Sequence, residues 1–227
     1  MSAGSSLNLA AGGQFTASVT GAIDIAGTIA AAGGKISLST DGSAATNPLR
    51  PTDSAGNYVG NVFVEGTLDV SGRFVNDTGR FGADALGPAF INGGSISITT
   101  SKFSVGSLAT GYTDRTGSIL LASGSVLDVS SGGYISPQGK AKTAATGVLA
   151  GKGGSISLAI YDGTWSADAS SSPTNAPPSV SAGSRQAILQ LDGTLLGYGF
   201  ESNGSLTLRA ADTVRIGGAL QPGEIST

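Results

Sequence analysis

Four segments of the chain carry nearly the same glycine-led alternation: GGKISLST from Gly33, GGSISITT from Gly93, GGSISLAI from Gly153 and NGSLTLRA from Asn203. Their starts lie 60, 60 and 50 residues apart. Inside each, Ile36 and Leu38, Ile96 and Ile98, Ile156 and Leu158, and Leu206 and Leu208 alternate with Ser37, Ser97, Ser157 and Thr207. A period of two describes a short extended strand with one apolar and one hydroxyl-rich face. The apolar face must be buried, and a strand that keeps returning buries it by stacking on its own copies.

A second set interleaves with the first: GAIDIAG from Gly21, GTLDVSG from Gly66 and GSVLDVSSGG from Gly124, with the weaker DGTLLGYG from Asp192. The alternation points Ile23 and Ile25, Leu68 and Val70, and Leu127 and Val129 inward. It places Asp24, Asp69 and Asp128 in one common outward slot. Glycine pairs at 33–34, 93–94, 132–133 and 153–154 can take positive φ, which lets the chain turn a sharp corner into the next strand without a Cβ clash. The alanine-rich stretches Ala30 to Ala32 and Lys140 to Ala150 do not reach two turns of helical apolar spacing. Everything therefore reads as strand, turn or loop.

In a parallel stack, equivalent residues lie about 4.8 Å above one another and each buried aliphatic contributes roughly 1.5–3 kcal/mol. Coils of roughly 20 residues would give eight to ten turns and a rod on the order of 40–50 Å long. A β-sandwich is the competing architecture. It calls for recurring tight Asn-Gly or Asp-Gly hairpins, whereas the punctuation here is Gly-Gly before the same strand. The chain reads as a single β-helical segment, residues 1–227, with loop insertions at 41–60, 73–90, 136–152 and 166–184. With no evident cap at either terminus, it reads as a piece of a longer rod.

Chemistry is sparse. The chain has no histidine and no cysteine, which excludes histidine general bases, Ser-His-Asp triads, thiol nucleophiles, disulfides and histidine or thiolate metal ligands. Its 12 basic and 15 acidic residues give a weak net charge of -3, so neither nucleic acid nor membrane insertion is expected as a partner mode. Asp24, Asp69 and Asp128 are the candidates for carboxylate catalysis on a polysaccharide. At 45 and 59 residues apart, they read as solvated strand-face residues more than one coil from each other. Asp41-Gly42, Asp162-Gly163 and Asp192-Gly193 read as turn pairs, because no calcium-loop pattern surrounds them. Gly151 to Ser155 lacks the ending of a phosphate loop. Arg73, Arg80, Arg115 and Arg185 read as dispersed surface charges, and Tyr161 and Trp165 as loop-packing aromatics. The sequence assigns no catalytic, cofactor-binding or metal-ligating residue.

The ordered motifs Gly21 to Thr40, Val64 to Gly72, Ile91 to Thr100, Gly124 to Gly133, Gly151 to Ile160 and Gly204 to Gly218 resemble the repeat region of filamentous-haemagglutinin-like exoproteins, the passengers of two-partner secretion systems. The resemblance implies a right-handed parallel β-helix and a secreted or cell-surface location. It further implies export as an unfolded chain through an outer-membrane partner transporter, and an adhesin or virulence role with a host glycan or surface receptor as contact. Under it, the segment is a non-enzymatic shaft. The alternative is a β-helical polysaccharide lyase or hydrolase using surface carboxylates.

Overall fold

The computed structural model describes residues 1–19, 21–40, 60–101, 104–107, 111–114, 116–162 and 187–210. They form a right-handed parallel β-helix with three faces and five coils. The first coil supplies β1 (Ser6–Asn8) and β2 (Gln14–Val19). The second supplies β3 (Ile23–Ile25), β4 (Thr28–Ala30) and β5 (Lys35–Thr40). The third runs through β6 (Val62–Val64) and β7 (Thr67–Asp69), leaves the stack for β8 (Phe74–Asn76), and returns as β9 (Ser95–Ser101). A hairpin of β10 (Ser104–Ser107) and β11 (Gly111–Asp114) follows. The fourth coil repeats the third as β12 (Ile119–Leu121), β13 (Val126–Asp128), the excursion β14 (Gly133–Ile135) and β15 (Ser155–Asp162). The fifth is β16 (Leu189–Leu191), β17 (Thr194–Leu196) and β18 (Ser205–Arg209).

Face A stacks β1-β4-β7-β13-β17, face B stacks β2-β5-β9-β15-β18 and face C stacks β3-β6-β12-β16, every pairing parallel. The register is the one the glycine-led repeats require: Phe15, Ile36, Ile96, Ile156 and Leu206 form one column, and Ala17, Leu38, Ile98, Leu158 and Leu208 the next. Face A contributes Leu7, Ile29, Leu68, Leu127 and Leu195, and face C two shorter aliphatic columns. The middle rungs of these columns are fully buried, whereas Leu7 and Leu206 at the ends are exposed. All three faces aim their alternate residues at one interior, which is why strands of only three residues on A and C hold together.

Three expectations are corrected. First, five coils are present among the described residues, not eight to ten. Only the first return is bare, with Ser6 opposite Thr28 and Gln14 opposite Lys35. Later rungs are 39 to 70 residues apart because insertions leave at the corners. Second, of the paired glycines, only Gly33 has positive φ, at 62°. The others, Gly133 apart, press against the backbone of a neighbouring segment where no Cβ fits. A Cβ at Gly94 would meet the carbonyl oxygen of Gly34, and one at Gly154 that of Gly94. Third, GAIDIAG belongs to face C, where Asp24 lies opposite Phe63, and the true predecessor of Asp69 is Ala30.

Insertion 73–90 and insertion 136–152 both leave at the corner from face A to face B, and β8 and β14 pair in parallel so that one excursion stacks on the other. Insertion 41–60, apart from Gly60, and insertion 166–184 lie outside the described residues. One 3-10 turn, Gly82–Asp84, interrupts the first described insertion. Side chains tie coils at the corners: Ser118 N–H donates to Asn61 Oδ1 at 2.8 Å, and Lys152 N–H donates to Asn92 Oδ1 at 3.0 Å.

Position along the stack should decide the cost of a truncation. Ile98→Ala, at a fully buried middle rung, is expected to lose about 2–5 kcal/mol in denaturant unfolding, whereas Leu206→Ala at the half-exposed end should lose below about 1.5 kcal/mol. Gly154→Ala should cost about 1–3 kcal/mol through its clash with backbone, while Gly60→Ala, where a Cβ meets only ordinary contacts, should be nearly neutral.

Candidate functional site

The A-to-B corner gathers the features that the solenoid itself does not need. Two insertions fold over it, and their anchoring begins at Asp77. This carboxylate is fully buried. Leu86 N–H donates to Oδ1 at 3.0 Å and Gly87 N–H to Oδ2 at 2.8 Å, which closes the loop from 77 to 87 around one side chain. The Asp77 backbone donates to Ile135 O at 2.9 Å, linking the insertion to β14. Burial alone would raise the Asp77 pKa. The amides of Leu86 and Gly87, the Tyr134 hydroxyl and the charge of Arg80 outweigh it and hold the carboxyl below its ordinary range. Tyr134 responds in the opposite sense, its phenol raised by burial and by donating to the Asp77 anion.

Beside this anchor is a cleft of about 380 Å³, within the size range of small-molecule sites. Pro88, Phe90 and Asn92 form one side, Lys142 and Ala150 another, and Glu201 of the fifth coil reaches it from above. The walls are fixed by backbone: Lys142 N–H donates to Tyr134 O and Ala150 N–H to Lys142 O, both at 2.9 Å, and Glu201 N–H donates to Gly151 O at 2.9 Å. Glu201 also pairs with Lys152 at 3.3 Å.

Phe90 has φ of 61°, the one positive value at a non-glycine residue among those described. That left-handed conformation costs of order 1–3 kcal/mol for a bulky side chain. It is held by Arg73 N–H, which donates to Phe90 O at 2.7 Å; the ring lies against the Cβ-free surface of Gly12, and the Cα and Cβ of Phe90 lie against Gly33. Among the described residues, every exposed aromatic side chain (Phe74, Phe81, Phe90, Tyr198 and Phe200) is on these insertions or this corner. Phe74 and Phe200 flank one glycine: a Cβ at Gly133 would touch both rings, at 3.3 and 3.6 Å.

The carboxylates singled out in the sequence have a different arrangement. Asp69 and Asp128 are register partners on adjacent rungs of face A, although 59 residues separate them, because two insertions intervene. The expectation that they lie more than one coil apart is thus overturned. Each is committed to its own corner: Ser71 N–H donates to Asp69 Oδ1 and Ser130 N–H to Asp128 Oδ1, both at 2.8 Å, as in Asx turns. Asp24 is exposed on face C. Asp192 starts the turn into β17, and its carboxylate accepts from the Gln190 amide at 2.5 Å. Arg80 lies beside Asp77. Asp41, Arg115, Arg185, Trp165 and the side chains of Tyr161 and Asp162 fall outside the described residues. Sequence reading missed Asp77 and the convergence of Phe90, Lys142 and Glu201. Only the clustering of three lysines without an acid in 136–152 hinted at a special loop.

Comparison with known proteins yields no counterpart: no family model, no curated protein and no solved structure matches the chain.

Because the native pKa of Asp77 lies below its ordinary 3.8, the carboxylate's contribution to the insertion is complete above that pH and disappears as pH falls through the depressed native value. The protection factors of the Leu86 and Gly87 amides, measured against the intrinsic rate at each pH, should therefore fall in acid as the anchor no longer restrains their exchange. Asp77→Ala should accelerate it roughly tenfold or more at neutral pH, with the core strands remaining protected.

Proposed function

We propose that this chain is a structural shaft segment of a larger secreted or surface-exposed bacterial exoprotein, one that holds adhesive or effector regions away from the cell. The observation that carries this reading is the in-register column of aliphatic side chains through all five coils. A stack of this kind draws its stability from neighbour-on-neighbour burial, so its length is set by how many rungs are strung together. Its insertions leave at corners and the three faces stay continuous, as a spacer that also displays loops requires. The likeness of its repeats to filamentous-haemagglutinin-like exoproteins supports export through an outer-membrane partner transporter. A chain without cysteine suits passage in an unfolded state.

Length as a free parameter is testable on this chain. Ser95 and Ser155 are register partners, so deletion of residues 95–154 joins Gly94 to Ser155 and removes one rung from each face. The shortened protein should fold cooperatively, keep its β circular-dichroism spectrum, and shorten by about 4.8 Å along the stack in small-angle scattering. Collapse into an unfolded chain would count against a modular shaft.

A second reading is favoured by one specific observation, the adjacency of Asp69 and Asp128. Carboxylates about 5–5.5 Å apart serve retaining glycoside hydrolysis, and one rung is about 4.8 Å. The shaft reading expects no reducing ends to be released from a panel of acidic and neutral polysaccharides. Release that disappears in both Asp69→Asn and Asp128→Asn would transfer the function to an enzyme.

A further inference from the structure

We propose that the cleft at the A-to-B corner is a binding site for an acidic saccharide, with Lys142 receiving the anionic group and Phe90 presenting a ring to the sugar face. The proposal is independent of the shaft reading, since the rod's stability does not depend on this site.

Charge is the first argument. The chain as a whole is acidic, at -3, yet insertion 136–152 contains Lys140, Lys142 and Lys152 and no acidic residue. Glu201 is the carboxylate lining the cleft, and it is neutralised by Lys152 at 3.3 Å. The Lys142 ammonium thus leaves the cleft with a net positive charge, which selects an anion over a neutral or cationic ligand.

Shape and surface are the second. A space of about 380 Å³ walled by a proline, an aromatic ring and amide and charged groups combines an apolar platform with a few directional polar groups. A pyranose needs this pairing, because its C–H faces rest on a ring while its hydroxyls take hydrogen bonds. Exposed Phe200 directly precedes Glu201, and with Phe74 it extends the aromatic surface past the cleft, so neighbouring units of a saccharide chain would meet further rings.

Backbone strain is the third. Phe90 keeps a bulky residue at φ 61° where glycine would fit without cost, and in that conformation it lines the cleft, one part of its ring resting on Gly12 and the side chain nearly half exposed. The loop is held in place from outside the cleft by Asp77 and Arg73, so the site is formed before any ligand arrives.

The test is calorimetric titration of the intact chain with oligogalacturonate, a sulfated oligosaccharide and a neutral dextran oligosaccharide, at low and high salt. Binding of at least one acidic probe is expected, with dextran at least tenfold weaker and affinity falling as salt rises. The carboxylated and sulfated arms identify which anion the site takes. Lys142→Gln should weaken acidic binding about tenfold or more, a loss of about 1.4 kcal/mol. Phe90→Gly, which removes the ring where glycine tolerates the backbone, should weaken it comparably, and Phe200→Ala gives a second aromatic readout at an exposed position. Arg209→Ala, a cation removed at the far end of a face B strand, should leave binding unchanged. Circular dichroism and melting of each variant confirm that it is folded. No binding to either acidic probe, equal binding of dextran, or acidic binding unaltered in both folded Lys142→Gln and Phe200→Ala would overturn the proposal. A loss as large in Arg209→Ala would reduce it to diffuse charge attraction and overturn it too.

Discussion

The whole molecule depends on one constraint: each rung must lie in parallel register on the rung below so that aliphatic side chains meet their counterparts. Ile36, Ile96 and Ile156 are far apart in the chain yet consecutive in space. A one-residue slip would turn these side chains to solvent and bring serines into the interior, which locks the register far more firmly than the few backbone hydrogen bonds of a three-residue strand. Close approach at the corners follows from the same constraint. Where Gly94 passes Gly34, and Gly154 passes Gly94, no side chain fits between the backbones.

Because burial is supplied by neighbours above and below, the corners are free to vary, and the chain uses this freedom unevenly. Loop closure becomes only slowly costlier with length, so excursions of about 20 residues leave and return without disturbing the stack. The two excursions at the A-to-B corner are themselves stacked through β8 and β14, and Asp77 converts the lower one into an ordered wall. A buried carboxylate is costly unless its oxygens are satisfied. Here two amides and a phenol do so, and the reward is a fixed loop rather than a deeper core. The strained Phe90 and the exposed aromatics are concentrated at that wall, which separates the surface suited to contact from the interior that confers stability.

Much of the architecture was legible in the sequence, because a period of two and a recurrence of the whole motif are local properties of the chain. The face B repeats were read in the correct register, and the absence of long helical spacing was informative. The error over Asp24 has a clear cause: GAIDIAG and GTLDVSG look alike because short strands on faces A and C obey the same inward-outward alternation, and likeness alone does not tell one face from another. The error over Asp69 and Asp128 arose from equating sequence distance with height in the stack. The glycine pairs were recognised, but their reason was not, since steric pressure from the adjacent coil has no signature within a single repeat. Asp77, inside the stretch NDT, gave no signal that it would be buried.

The sequence by itself determined that this chain forms one-faced strands, that their apolar sides are repeated at intervals suited to stacking, and that histidine and cysteine chemistry is excluded. These follow from residue identity and spacing. Tertiary structure decided which copy sits on which, that two excursions share one corner, and that Lys142, Phe90 and Glu201 meet around a single cleft. Those outcomes bring residues 111 positions apart, Phe90 and Glu201, to the lining of one cleft, and such proximity exists only after the coils have closed.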